Sequence, residues 1–215
     1  MMMSNGFIKP RFKMRSLSEI ETVSKRASRA AGFSWGEAEE IGKNIRLLEL
    51  FGLPGIKNLN LFLSEKKNNR FENLNLISET NKSNKNHFCP ISTGISFLDQ
   101  IDNLKDKIIS INNIAYPILF IPFLSRSSEI IGKRIKLKFN QAQIILNFNV
   151  NIYSDNNFSD LILKGKDVEI SFLENTDSFS EDEWKNLYKL SEDTFVEESE
   201  SLKQGGAGAG LTDND

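Results

Sequence analysis

Two helix-start patterns constrain the fold of this chain more than any other feature of its sequence. The spacing of a capping box, in which a hydroxyl and a carboxylate satisfy free amides of a first helical turn, occurs at Ser16 with Glu19 and at Ser34 with Glu37. Apolar residues follow each start at three- and four-residue steps: Leu17, Ile20, Val23, Ala27 and Ala30, then Trp35, Ala38, Ile41, Ile45, Leu48 and Phe51. Gly32 and Gly52 stand where left-handed C-caps are expected, and Pro54 prevents continuation. Residues 16–55 therefore predict an antiparallel helical hairpin.

The remainder of the chain predicts a change from helix to sheet. Residues 56–88 are rich in Asn, Lys and Ser and predict a variable, loose connection. A third helix is expected to begin at Cys89 and Pro90, because proline suits the first helical position. Five β-branched or alternating segments follow and predict an antiparallel sheet, at residues 108–114, 118–123, 134–139, 143–150 and 168–173. A last helix is predicted from Ser180, with Trp184, Leu187 and Leu190 as its apolar edge.

These segments predict an α+β fold in a single domain that spans residues 1–215. The helical hairpin occupies residues 16–55 and the variable connection residues 56–88. A body of mainly antiparallel sheet with a few flanking helices occupies residues 89–195, and a Gly/Ala-rich C-terminal tail occupies residues 196–215. A chain of this length can bury one substantial core.

The charge and the residue composition exclude several classes of function. The 215 residues include 27 Lys and Arg against 29 Asp and Glu, and the basic residues are spread along the chain, so no nucleic-acid binding is expected. The single cysteine excludes an internal disulfide framework and a four-thiolate zinc site, and it favours a reducing compartment. The single histidine excludes a multi-histidine site, so we expect no metal site.

The sequence also predicts a cytoplasmic protein that does not bind a membrane. Four basic residues near the start, Lys9, Arg11, Lys13 and Arg15, are not followed by the apolar stretch of a secretory signal. The longest apolar run, residues 114–124, contains Pro117 and Pro122 and is far short of the roughly 20 residues that a membrane helix needs.

Three stretches of the sequence resemble one protein family. The first runs from Ser-Leu-Ser-Glu at residues 16–19 through Ser-Trp-Gly-Glu-Ala-Glu-Glu at residues 34–40 to Gly-Leu-Pro-Gly at residues 52–55. The second is Cys-Pro at residues 89–90 with Gly94 and Asp99, and the third is Gly-Ala-Gly-Ala-Gly-Leu-Thr-Asp-Asn-Asp at residues 206–215. Together they are similar to the uncharacterised bacterial family called domain of unknown function 3726. The resemblance implies that hairpin, Cys-Pro segment and tail belong to one architecture, and it implies no established activity.

Cys89 is the first candidate for chemistry. A thiol at a helix N-terminus feels the positive end of the helix dipole, which lowers its pKa, and His87 lies close by in sequence as a candidate base. Lone cysteines are also among the most buried residue types, so a structural cysteine beside a solvent-exposed His87 is the favoured interpretation. Asp99 is a second catalytic candidate.

The start of the second predicted helix holds the other candidates outside the tail. The family resemblance draws attention to Glu39 and Glu40 as carboxylates beside Trp35 that could form part of a pocket, with Glu40 as a third catalytic candidate and with Glu39 and Trp35 as binding candidates. The alternative is that these carboxylates only stabilise the helix, because negative charge is favourable in a first turn.

The C-terminal tail supplies the remaining binding candidates. Its alternating glycines allow close backbone approach to a ligand or groove, and its last residues concentrate oxygen atoms. The binding residues predicted there are Gly206, Gly208, Gly210, Thr212, Asp213 and Asp215. The pattern is not a nucleotide-binding loop, and ordering a flexible tail makes chelation of a hard cation unfavourable. An arm that docks into a groove, or a flap that closes over a pocket, fits the composition better.

Two functions remain open at this stage. The leading hypothesis is a binding or accessory protein of a small-molecule metabolic pathway, whose tail docks into a groove of a metabolic enzyme or of a second copy. The alternative is a small-molecule enzyme of hydrolase or lyase type, with a site near Cys89, the start of the second helix and the acidic tail. The sequence identifies no cofactor.

Overall fold

The computed structural model describes residues 14–68, 71–147, 151–154, 158, 162–174 and 176–194. They fall into two compact units, Met1–Asn175 and Thr176–Asp215. The first unit combines helices with a six-stranded sheet, which confirms the predicted α+β fold class. That residues 1–215 act as one domain stays a prediction.

The predicted helical hairpin is confirmed as α1 (Leu17–Ala30) and α2 (Trp35–Leu50). At the start of α2 both halves of the capping box are present: the Glu37 carboxylate accepts from the Ser34 amide at 2.7 Å, and the Ser34 hydroxyl accepts from the Glu37 amide at 3.2 Å. At α1 only the serine half forms, because the Glu19 carboxylate accepts from Arg15 instead, at 2.8 Å. The two helices therefore begin where the sequence predicts.

The two helices of the hairpin approach each other closely at Gly42. A Cβ atom at this position would lie 2.8 Å from the carbonyl oxygen of Glu21 on α1, so only glycine fits without displacement. The apolar face of α2 is buried through Ala38, Ile41, Ile45 and Leu48. Trp35, which the sequence places among the apolar positions of this helix, is instead 64% exposed.

A third helix, α3 (Gly55–Lys66), lies inside the stretch that the sequence predicts as a loose connection. Leu59, Phe62 and Leu63 of this helix are buried. Asn58 is buried as well, and its side-chain amide donates to the carbonyl of Pro54 at 2.7 Å. An asparagine that typically signals a loop therefore has its amide nitrogen paired here by the first turn of a helix.

The sheet has the order β1-β2-β6-β3-β4-β5 and is antiparallel except for the β1–β2 pair. Its strands are β1 (Thr80–Asn81), β2 (Ile109–Ala115), β3 (Arg134–Phe139), β4 (Ala142–Asn147), β5 (Asn151–Ser154) and β6 (Lys164–Leu173). On β3 the residues Ile135, Leu137 and Phe139 are buried, whereas the alternating basic residues are partly exposed. This alternation gives β3 one buried and one partly solvated face, as is typical of an antiparallel strand.

Helices α4 (Pro90–Asp99), α5 (Ile101–Leu104) and α6 (Ile121–Ile131) complete the first unit. Helix α4 begins after Cys89, as predicted. The strand predicted at residues 118–123 is wrong: a 3-10 turn, Pro117–Leu119, leads there into α6. Residues 114–125 are all buried, so the run has no polar alternation to separate a buried helix from a buried strand.

The second unit contains α7 (Glu181–Ser191) and a short 3-10 turn, Glu192–Thr194. Helix α7 begins after Ser180, as the sequence predicts, and Ser180 and Glu183 form a capping box at its start. The ring of Trp184 stacks on Phe179 with centroids 5.7 Å apart. None of the helices in the described residues of either unit is long and apolar enough to cross a membrane.

Candidate functional site

Cys89 is positioned as the N-cap of α4, but its environment does not favour a nucleophile. The side chain is only 4% exposed, and burial raises the pKa of the thiol despite the nearby amides of Ile91 and Ser92. The geometry agrees with the interpretation of a buried structural cysteine. His87 is half-buried rather than fully exposed, and burial together with Lys164 lowers its pKa.

Asp99 is not brought together with Cys89. The two residues lie at opposite ends of α4, roughly 15 Å apart along the helix axis at 1.5 Å per residue. The carboxylate of Asp99 is on an exposed residue. A single pocket that uses both side chains is therefore not formed by this helix.

Glu39 takes part in ion pairs on the exposed surface of the hairpin. Its carboxylate lies 3.2 Å from the Lys43 ammonium and 3.3 Å from that of Lys25. The hydrogen bond from Lys43 lowers the pKa of Glu39, and that from Lys25 acts in the same direction. Trp35 lies one turn earlier, with the guanidinium of Arg29 5.2 Å from its ring centroid. Trp35, Glu39 and Glu40 are all absent from the linings of the described cavities of the first unit.

Glu40 has a different and more enclosed environment. Its carboxylate accepts a hydrogen bond from Nη1 of Arg126 on α6, and their side chains are only 28% and 25% exposed. The Lys43 ammonium lies 3.3 Å from the same carboxylate. The guanidinium carbon of Arg126 also lies 5.5 Å from the ring centroid of Phe123. Of the predicted catalytic candidates, Glu40 alone has a mostly buried ion-pair partner among the described residues.

A cleft of about 280 Å³ lies beside this ion pair, between α2 and α6. It is lined by Lys43, Asn44, Arg46, Leu47, Leu50, Arg126 and Glu129, and we call it the α2–α6 cleft. Sequence reasoning missed Arg126 and Asn44. The only sequence signal for Arg126 is weak: Arg126 and Glu129 are the only charged residues in α6.

A second concave surface, of about 380 Å³, lies between α1 and α3. It is lined by Arg15, Glu19, Ile20, Val23, Ser24, Ala27, Ile56, Leu59, Asn60 and Leu63, and we call it the α1–α3 groove. Two of its apolar side chains are unusually open to solvent, Val23 at 58% and Ile56 at 44%. The groove therefore offers a concave, mostly apolar surface on which a ligand or a chain segment could bind.

Residues 15–89 match the family model described as a protein of unknown function (DUF3726). The resemblance inferred from the sequence is thereby confirmed for these residues, which we call the DUF3726 segment. It contains the hairpin, α3, and the candidates Trp35, Glu39, Glu40 and Cys89. No curated protein and no solved structure matches this chain.

The two concave surfaces stand in different relations to the DUF3726 segment. All residues that line the α1–α3 groove belong to it. The α2–α6 cleft is shared: Asn44 and its neighbours on α2 lie inside the segment, whereas Arg126 and Glu129 lie beyond it. The groove is therefore a feature of the family-matched residues, and the cleft needs the rest of the first unit.

The buried Tyr116 is a further unusual residue of the first unit. It precedes Pro117 and has a left-handed backbone, with φ 44° and ψ 61°, which is strained for a bulky residue. Its ring meets Phe62 edge-on with centroids 5.7 Å apart. Burial, with a smaller contribution from the negative charge of Glu65, raises the pKa of Tyr116 to about 12. The hydroxyl therefore stays protonated at neutral pH.

The remaining predictions for the site concern metal binding and the tail. Within the described residues, no group of three or more His, Cys, Asp and Glu side chains could hold a metal ion. The predicted binding residues Gly206, Gly208, Gly210, Thr212, Asp213 and Asp215 lie outside the described residues.

Proposed function

We propose that this chain is a bacterial, cytoplasmic binding or accessory protein of a small-molecule pathway, and that its C-terminal tail docks into the α1–α3 groove of a second copy. The observation that carries the proposal is the groove itself. Its walls come from two neighbouring helices, its lining is mostly apolar, and Val23 and Ile56 remain largely open to solvent. Covering these side chains on association would remove apolar surface from water, which favours binding.

The composition of the tail suits such a groove. Residues 205–210 contain only glycine and alanine, so the backbone can approach the helix walls closely. Leu211 then supplies one larger apolar side chain for the groove. Asp213 and Asp215 follow, and they could pair with Arg15 of the groove lining if Arg15 exchanges its ion pair with Glu19 for one with the tail.

The described residues support a binding role better than nucleophilic catalysis. Cys89 is buried with a raised pKa, so little of it is the reactive thiolate at neutral pH. Its lack of a disulfide partner suits a reducing compartment such as the cytoplasm. The hydrolase or lyase alternative therefore loses Cys89 as a nucleophile with a favourable environment.

The proposal is tested by measuring the mass of the full-length protein in solution over a range of concentrations, by light scattering after gel filtration. We expect a concentration-dependent dimer. Deletion of residues 205–215 and the groove variant Val23→Glu should both give monomers. Leu76→Glu is the matched control, because Leu76 is also exposed but does not line the groove, and it should dimerise like the unmodified protein.

Circular dichroism on each variant separates a lost contact from a lost fold. A protein that is monomeric at all concentrations, or a dimer that survives both groove and tail changes, would contradict the proposal. Capture of a metabolic enzyme that depends on the tail but not on Val23 would place the tail in the partner's groove, and would overturn self-association.

A further inference from the structure

Two residues that line the α2–α6 cleft, Arg126 and Asn44, carry buried hydrogen-bond donors without acceptors in the part of the chain that the structure describes. Among the described residues, none accepts a hydrogen bond from Nε or Nη2 of Arg126, and none accepts from Nδ2 of Asn44. All three nitrogens are buried, and Asn44 as a whole is only 3% exposed. Buried donors are normally paired, and an unpaired one is costly, so these three nitrogens favour the arrival of an acceptor.

The other cations that line the cleft, Lys43 and Arg46, already have ion-pair partners, in contrast to these three nitrogens. Arg46 lies 3.2 Å from Glu21, and Lys43 lies within 3.3 Å of both Glu39 and Glu40. Arg126 uses only Nη1 for Glu40. The guanidinium edge formed by Nε and Nη2 therefore remains unpaired within the residues that the structure describes. This edge presents two parallel N–H groups, which is the geometry that matches a carboxylate or phosphate.

We propose that the α2–α6 cleft binds a small organic monocarboxylate, with its oxygens accepting hydrogen bonds from Arg126 and Asn44 and its apolar chain lying against Leu47 and Leu50. The cleft volume of about 280 Å³ suits a molecule of a few carbon atoms. Binding requires Arg126 to turn its free edge toward the cleft, which its one-quarter exposed side chain borders.

Because Lys43 and Arg46 are already paired with glutamates, the charges around the cleft favour a monoanion over a phosphate dianion. Glu40 already neutralises part of the Arg126 charge, and Glu129 adds a second carboxylate to the lining. A second negative charge on the ligand would therefore meet repulsion from both glutamates. The apolar side chains of Leu47 and Leu50 likewise offer nothing to the additional oxygens of a phosphate.

The test is isothermal titration of the full-length protein with hexanoate, with inorganic phosphate and chloride at equal ionic strength as comparison probes. Hexanoate should bind and the two inorganic anions should not. Arg126→Gln should weaken hexanoate binding by at least about tenfold, because a charge-assisted hydrogen bond is lost. Arg26→Gln, which removes an exposed arginine of α1, is the matched control and should leave the affinity unchanged.

Asn44→Leu separates a ligand role from a structural one. If Asn44 serves the ligand, this near-isosteric change should weaken hexanoate binding by at least about tenfold without lowering the midpoint of thermal unfolding. If the amide instead accepts from Arg126 in the folded protein, the midpoint should fall and the affinity should not change, which would overturn the proposal. Failure of hexanoate to bind, equal binding in Arg126→Gln, or preference for phosphate would overturn it as well. Since the cleft and the α1–α3 groove have no lining residue in common, these results do not depend on dimer formation.

Discussion

Arg126 on α6 donates a hydrogen bond to Glu40 on α2, and this contact joins the helical hairpin to the helix that packs against β3 and β4. The two residues are far apart in sequence, and both side chains are mostly withdrawn from solvent. A half-buried ion pair of this kind contributes more than an exposed one, because removal of one partner leaves the other charge desolvated.

Replacement of Glu40 by alanine should therefore destabilise the protein. We expect the free energy of unfolding to fall by about 2 kcal/mol, because Arg126 loses its acceptor while remaining buried. The measurement is urea unfolding: the midpoint should fall, whereas the slope of the free energy of unfolding against urea concentration should stay the same. Glu39→Ala is the matched control on the same helix, and its exposed ion pairs should make its effect clearly smaller. Equal effects of the two variants would show that the Arg126 contact does not stabilise the fold.

Gly94 and Gly36 form a second matched pair, both within helices. A Cβ atom on Gly94 of α4 would lie 2.2 Å from the ring of Phe123 on α6, whereas a Cβ atom on Gly36 would meet nothing within 4 Å. Gly94→Ala should thus lower the free energy of unfolding by about 1–3 kcal/mol through overpacking. Gly36→Ala should raise it by about 0.5–1 kcal/mol through helix propensity. Thermal unfolding of both variants checks the prediction, and shifts of the same sign would contradict it.

The parts of the fold that the sequence predicts correctly depend on local signals. The capping pair of Ser34 and Glu37 lies within one helical turn, and the alternation on β3 follows from the strand period of two. The helix α3 was missed because it begins after Pro54 without a side-chain cap and carries several asparagines. Residues 118–123 were assigned to a strand because a uniformly apolar run has no periodicity to distinguish the two structures.

For the candidate sites, too, the sequence predicts only those features whose signals lie close together in the chain. Glu40 was a candidate because it belongs to a recognisable helix start, but its partner Arg126 is 86 residues away and no local pattern joins them. Burial of Cys89 could be expected from residue type, whereas its raised pKa depends on the packing around α4. The two concave surfaces arise only from helix packing, so neither could be predicted from the chain alone.

The thiol of Cys89 should react slowly in the folded protein. Because it is the only cysteine, a thiol reagent such as Ellman's reagent reports on it alone. Burial both blocks access and raises the pKa of the thiol, so we expect the rate at neutral pH to rise more than about 100-fold on unfolding in urea. Comparable rates in the native and unfolded protein would contradict the buried position, and would restore Cys89 as a candidate nucleophile.

The buried Tyr116 should make stability depend on alkaline pH. Its folded-state pKa of about 12 lies above the ordinary value of 10.0, so the folded protein holds the phenolic proton more tightly than the unfolded chain does. The resulting stabilisation is fully present below pH 10 and is lost as the pH rises through about 12. In Tyr116→Phe the free energy of unfolding should therefore fall less steeply over this interval, as measured by urea unfolding at a series of pH values.

Tyr153→Phe, at an exposed tyrosine of β5, controls for the loss of one phenol. The Tyr116 variant should also be at least as stable as the unmodified protein at neutral pH, because the replaced hydroxyl is buried and has no hydrogen-bond partner among the described residues. A marked loss of stability at neutral pH would mean instead that the hydroxyl is satisfied in solution, with Glu65, which contributes to the raised pKa of Tyr116, as the candidate acceptor. In that case the steep alkaline decline should also disappear in Glu65→Gln, which distinguishes a Tyr116–Glu65 hydrogen bond from burial alone.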